Sequence, residues 1–376
     1  MRLAVLGPGY PFRGGIARTT TDLVLALCER GHEVHFVTPR HQYPRWFYPG
    51  GDDRDPDACR RVDGAVRLLD PLRPFAWADA RRRIVALGED AWLFPYWTWP
   101  WAPWWRFLLG CPDRPPAIAV VHNPADHDAG ALRRLAARLV LGRCEALFTH
   151  AASLTDELRR TYPGVRVASF PLPLPEVPEV PGREASRTAL GFSDGDRIAL
   201  FLGLIRPYKG VDVLLDAAFR LPRESPWRVL VAGEPWGAEG SRLRRMVNEL
   251  QLADRVRLDL RWIPEAEVAR LLASADLVVL PYRSGSQSAV APLAFAHRVP
   301  VLCTRVGGLE EIVEDGVNGV VVGAGSAAAL AGALGRLDDG ALGRLRAGVE
   351  ATSARLGRDR YAQALEQLVA TVIEAP

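Results

Sequence analysis

Short aliphatic runs alternate with helical patterns along this chain, and the alternation stops once before starting again. In the first half the predicted strands are 3–6, 34–37, 66–69, 91–94, 118–122, 146–149 and 165–169. Helical patterns fall between most of them, for example over 16–30, 78–87 and 131–141. Strands this short, separated by helix-length segments, pair in parallel through crossover helices. The break is FPLPLPEVPEVPG, 170–182, with five prolines. No helix or central strand tolerates that density, so the stretch reads as a linker. Strand signals then resume at 198–203, 228–232, 256–260, 277–282, 299–303 and 319–322.

Two doubly wound α/β domains follow. The expected bounds are 1–172 and 173–355, with 356–376 a C-terminal helix packing back on the first domain. A length of 376 residues gives each domain its own core. Ligands of such sheets bind at the carboxyl ends of the strands, so the site is expected in the cleft between the domains.

Bulk properties exclude several classes. The net charge of +3 is too small to argue for nucleic acid. Five scattered cysteines without a C-x-x-C pair read as reduced thiols in a cytoplasm, not a disulfide frame or zinc site. MRLAVLGPGYP enters a strand directly and does not read as a signal peptide. The segment WLFPYWTWPWAPWW, 92–105, holds six of the eleven tryptophans. It is too short to span a bilayer and is interrupted by Pro95, Pro100 and Pro103. It reads as an aromatic wall packed partly in a core, with an acceptor-binding or peripheral membrane face as the alternative.

The first βα turn is GPGYPFRGGIARTT, 7–20. Phe12 stands where a dinucleotide fingerprint needs its third glycine, which argues against a dehydrogenase. Gly14 and Gly15 remain, directly before a helix, where backbone can approach a phosphate. In FLGLIRPYKGVDVLLDAA, 201–218, a strand ends at Gly203 and Arg206 and Lys209 follow in a short loop. Two cations at a strand end can clamp a diphosphate; the plain alternative is two solvated charges. Gly307 and Gly308 again lie between a strand and a helix. Asp-x-Asp sequences (Asp53/Asp55, Asp55/Asp57, Asp126/Asp128, Asp194/Asp196) read as turn chemistry, Asp126/Asp128 excepted, and no metal is expected.

GLIRPYKGVDVLLDA, DLVVLPYRSGSQSAVAPLAFAHRVPVL and VGGLEEIVEDGVNGVVV resemble the C-terminal domain of family 4 glycosyltransferases, which have the GT-B fold. YPFRGGIARTTTDLVLALCERGHEVHFVT and AVVHN are similar to that family's N-terminal half. The resemblance implies a retaining transferase with two Rossmann-like domains facing across a cleft, a nucleotide-diphospho-sugar donor and a glycan, lipid-linked or small-molecule acceptor. It implies work on cell-envelope polysaccharide, in the cytoplasm or at the inner face of the membrane. Arg206 and Lys209 would bind the donor diphosphate, Gly14 and Gly15 would face its phosphates, and His122 would lie near the transferred sugar. The family's paired glutamates, eight positions apart, correspond here to Gly285 and Leu293. The loop GSQSAV then offers Ser286, Gln287, Ser288 and Ala289 as an uncharged phosphate cradle at a helix start, with position 293 facing the ribose. A GT-B epimerase of nucleotide sugars and a silent nucleotide-sugar-binding protein share these features and stay open.

Overall fold

The computed structural model describes residues 1–42, 53–55, 62–123, 130–177, 182–193, 195–285 and 287–374. The chain divides into two compact units, Met1–Pro173 with Arg358–Pro376, and Leu174–Gly357. Both are parallel α/β sheets of the Rossmann-like kind, as the alternation predicts.

The first unit holds β1 (Arg2–Leu6), β2 (Glu33–Pro39), β3 (Val66–Leu69), β4 (Ala91–Tyr96), β5 (Ala117–Val121), β6 (Ala146–Thr149) and β7 (Arg166–Ser169). Their order is β3-β2-β1-β4-β5-β6-β7, so winding reverses between β1 and β4. Side chains alternate between two cores, one on each sheet face. Leu3, Val5, Ala91 and Leu93 meet helices Gly15–Glu29 and Arg358–Ile373 on one face. Ala4, Leu6, Trp92, Phe94 and Tyr96 build the other.

That second core explains the tryptophan segment. Trp92, Trp97, Trp101, Trp104 and Trp105 are buried, and Phe94 stacks on Trp105 with centroids 4.5 Å apart. Only Trp99 of the six is substantially exposed, at 40%. The segment is therefore core wall, the reading its sequence favours, with one surface side chain. Its prolines do not break it. Pro100 and Pro103 sit in the first turns of short helices, where no N–H is needed. Pro95 lies within β4, beyond the last residue, Leu93, that pairs with β1. A Cβ on Gly7 would lie 2.6 Å from the Pro95 ring, and one on Gly9 would lie 2.4 Å from the Phe36 ring. The two glycines of the opening turn make room for neighbours and form no dinucleotide fingerprint.

The C-terminal helix Arg358–Ile373 belongs to this first unit. Tyr361 enters an aromatic box of Phe148, His150 and Phe170, while Arg30 pairs with Asp359 and Glu366.

The second unit holds β8 (Arg197–Leu202), β9 (Trp227–Ala232), β10 (Val256–Asp259), β11 (Leu277–Leu280), β12 (Val301–Thr304) and β13 (Gly319–Val322). Their order is β10-β9-β8-β11-β12-β13, with the reversal between β8 and β11. Loops leaving those two strands thus start side by side. The opposite, amino end of β11 is tied down by buried Asp276, which accepts from Arg183, Arg187, Arg346 and the Ile198 N–H. Cys28, Cys111, Cys144 and Cys303 are free thiols, and Cys59 lies outside the described residues. Among the described residues no helix is long and apolar enough to cross a membrane.

Candidate functional site

The loop after β8 is held by a backbone zipper to the loop after β9. Gly203 donates to Ala232, Ile205 to Glu234, and Trp236 back to Ile205, all at 2.8–3.0 Å. Gly203 has φ +110°, and its carbonyl leaves no room for a side chain on Gly233. After a turn of 3-10 helix, Pro207–Lys209, the chain passes through Gly210 at φ +66°. A Cβ there would lie 2.0 Å from the Pro281 carbonyl, so only glycine permits this approach to the end of β11.

This frame presents two cations. Arg206 lies over the Trp236 indole, 4.1 Å from its centroid, and its buried Nε has no hydrogen-bond partner. Lys209 is half-buried, with Nζ 5.4 Å from the centre of the Tyr282 ring. Burial lowers the Lys209 pKa, with the nearby Arg206 charge acting in the same direction. Asp212 is engaged by Arg242 and Arg283, and no ion pair forms with Arg206 or Lys209 among the described residues. Two adjacent cations therefore stand without a counter-ion.

The uncharged loop after β11 is only partly what its residues suggest. Tyr282 is buried, its pKa is pushed up to about 12 by burial, and its hydroxyl is 3.1 Å from Ser288 Oγ. Ser288 Oγ also accepts from the Val290 N–H at 3.2 Å, so this hydroxyl serves the loop's own structure. The free polar atom is Gln287 Nε2, buried without a hydrogen-bond partner. Ala289 is exposed, and Ser286 lies outside the described residues. The helix that follows, Val290–Ala296, has seven residues and no acid in its first turn. Val290 lies 3.7 Å from the Cβ position of Gly203, which brings this loop beside the cations. Leu293 is buried in the second unit's core. The helical turn from Val290 directs position 293 inward together with Ala294.

In the first unit, Gly14 has φ +105° and open space around it, and Gly15 begins the helix Gly15–Glu29. His122 directly follows β5, with its N–H donated to Tyr96. Its ring lies 4.7 Å from that of His150, which directly follows β6 and stacks on Tyr361. Burial lowers the His150 pKa to about 4. The His122 pKa falls well below the usual value through burial, with His150 adding to it. Both imidazoles are therefore neutral at pH 7.

No group of three or more His, Cys, Asp or Glu poised for a metal occurs among the described residues. Asp53 accepts from the Gln42 N–H and Asp196 from the Ser193 N–H, ordinary loop chemistry. Asp57, Asp126, Asp128 and Asp194 lie outside the described residues.

Comparison with known proteins places this geometry. The family described as Glycosyltransferase Family 4 matches residues 13–171, and that described as Glycosyl transferases group 1 matches 196–339. A D-inositol 3-phosphate glycosyltransferase from Xylanimonas cellulosilytica is 33% identical, over 95% of this chain and 92% of its own. The chain belongs to the family 4 glycosyltransferases. A relative of the same name from Streptomyces bingchenggensis is 31% identical over 78% of this chain and 68% of its own. Among solved structures, sucrose-phosphate synthase from Thermosynechococcus elongatus matches with TM-score 0.79 and 21% identity, covering 100% of both chains. HepE from Anabaena, solved with UDP, matches with TM-score 0.73 and 16% identity, over 99% of this chain and 100% of its own. These likenesses give this glycosyltransferase the GT-B fold.

Three features of the glycosyltransferase escape a motif-by-motif reading. His150 ends LFTH, 147–150, as His122 ends AVVH, 119–122; two successive strand-end histidines were the available signal. Lys209 is the only lysine in a chain with 47 basic residues. Everywhere else arginine serves, and a lysine offers a compact ammonium in place of the guanidinium fork. Trp236, which supports Arg206, has no signal in sequence alone.

Proposed function

We propose that this glycosyltransferase takes a sugar from a nucleoside-diphospho-sugar and transfers it to an acceptor hydroxyl with retention of anomeric configuration. The observation that carries this reading is the Arg206–Lys209 pair, two adjacent basic side chains with no carboxylate partner among the described residues. HepE was solved with UDP-glucose, which makes UDP-sugars the first donors to test. The relatives' name makes a polyol phosphate the first acceptor, ahead of glycan or lipid-linked hydroxyls of the cell envelope.

In this reading the bond from sugar C1 to the diphosphate oxygen breaks, and its electron pair leaves with the diphosphate. Arg206 and Lys209 offset that growing negative charge, and Gln287 Nε2 has a donor to spare for a phosphate oxygen. The acceptor oxygen bonds to C1 on the same face, and its proton passes to the departing phosphate. His122, neutral at pH 7, acts on the sugar by hydrogen bonding and not as a charge. No metal enters, so turnover should survive excess EDTA.

The single lysine makes a direct test. At neutral pH an amine-reactive reagent has only the chain's α-amino group and Lys209 as lysine-type targets. Peptide mass spectrometry should show Lys209 modified, and UDP should protect it. Equal modification with and without every nucleoside diphosphate tried would remove the donor site. In parallel, UDP release from a panel of UDP-sugars should require an acceptor, with the product anomer read by NMR. Donor conversion without acceptor would point to an epimerase, and protection without turnover to a binding protein.

A further inference from the structure

Three rings form a row that runs from the core of the first unit outward. Tyr361 and His150 are 1% and 6% exposed, whereas His122 is half-buried. Tyr361 stacks on His150 with centroids 5.6 Å apart and planes at 26°. His150 meets His122 at 4.7 Å and 40°. Of the three, His122 alone keeps a side open to a ligand.

Each inner ring is held by something other than His122. His150 Nδ1 lies 3.3 Å from the Phe170 carbonyl. A carbonyl only accepts, so Nδ1 carries the proton and donates it. That carbonyl is itself placed by the strand ladder, since the Phe170 N–H donates to Thr149 at 3.1 Å. Tyr361 is boxed edge-on by Phe148 and Phe170, at 5.5 and 6.2 Å. Its helix is tied down by Arg358 to Glu29, and by Asp359 and Glu366 to Arg30.

Packing alone does not ask for an imidazole at position 150. His150 Nε2 is buried with no hydrogen-bond partner, at a cost of about 1–3 kcal/mol that a phenyl ring would avoid. What the imidazole adds is the bond to Phe170, which stops the ring from turning about its own axis. His122 then meets one fixed face. The Tyr361 hydroxyl also has no hydrogen-bond partner, so its flat ring is what Tyr361 contributes.

We propose that His150 and Tyr361 are positioning residues that hold the His122 imidazole in one orientation toward the sugar. This deepens the reading in which His122 hydrogen-bonds the sugar, and it rests on that reading. A misplacement of about 1 Å costs up to about 10²-fold in rate, so the support is felt in kcat.

A double-mutant cycle tests it, following UDP release from UDP-glucose with D-inositol 3-phosphate as acceptor. His150→Ala and Tyr361→Leu should each lower kcat roughly 10- to 100-fold and move KM less than about threefold. Tyr361→Phe keeps the ring and should restore most of the loss. His150→Phe keeps a ring without its anchor and should fall between His150→Ala and the parent. In a His122→Asn background, His150→Ala should cost less than about twofold more, because the group it positions is gone. A cost that multiplies in full there makes the row merely structural and overturns the proposal. So does a parent-like kcat in His150→Ala when His122→Asn is impaired. A parent-like kcat in His122→Asn overturns the reading of His122 and the proposal together. NMR of the protein labelled with 13C at histidine Cε1 reads the row without any substrate. The His122 signal, identified by its loss in His122→Asn, should be single and sharp in the parent and should broaden or split in His150→Ala and Tyr361→Leu. A single sharp His122 signal in both variants overturns the proposal.

Discussion

Two strand ends do opposite things with the same physical influence. After β8, burial acts on a lysine beside an arginine, and neither has a carboxylate partner among the described residues. After β5 and β6, burial acts on two histidines whose ring centroids lie 4.7 Å apart. Desolvation penalises the charged form in both places. Lysine begins far above neutrality and has far to fall before it loses its proton, whereas histidine begins close to neutrality and loses it readily. One unit therefore carries basic side chains at its strand end. The other keeps neutral imidazoles at its strand ends.

The sharpest way to break this comparison is to alter the lysine. Lys209→Met should lower kcat by roughly 10²–10³, about 3–4 kcal/mol, and Arg206→Ala should fall in the same range. Because burial disfavours the lysine's charge, the Met variant should at the same time melt higher than the parent. Lys209→Arg should not restore turnover, because a planar fork replaces a compact ammonium. Steady-state kinetics and thermal melts of the three variants decide this. Full activity of Lys209→Arg would mean that charge alone matters there.

The histidine side is tested by pH. The folded pKa of His150, about 4, lies below the ordinary value of 6.5, so between them the unfolded chain binds the extra proton. Stability is then complete above about pH 6.5 and declines as pH falls toward 4, by on the order of 2–4 kcal/mol. His122 acts in the same direction. Denaturant unfolding at pH 7 and pH 4.5 should show the loss, and His150→Gln should reduce it. An equal slope in the variant would show that His150 is not held neutral.

The smallest effect sharpens the cation side. Trp236→Ala should cost about five- to tenfold in kcat/KM, the scale of one partly desolvated cation–π contact, while Trp236→Phe keeps most of it. Identical kinetics for the Ala variant would mean that the zipper, and not the indole, holds Arg206.

The loop of Arg206 and Lys209 was legible because strand, glycine and cation follow each other within a few residues. The role of Ser288 was not, since its hydroxyl is occupied by Tyr282 and Val290 only once the loop has closed. Nor was Leu293, whose inward direction depends on where the helix begins. The tryptophan segment reads as core wall from its sequence, but how a strand could hold its prolines was not legible there. Gly7, distant in sequence, is what makes room for Pro95 in β4.

By itself the sequence determined the alternation of strands and helices, the division near the proline-rich stretch, and a lone lysine after β8. These are local properties: periodicity, backbone restriction by proline, and residue choice. The tertiary structure alone decided which polar groups keep a free valence and which are consumed. It left Asp212 to Arg242 and Arg283 instead of Lys209, set Trp236 under Arg206, and placed His150 against His122. Whether a side chain is charged, paired or buried depends on neighbours brought from elsewhere in the chain. No spacing along the sequence encodes those distances.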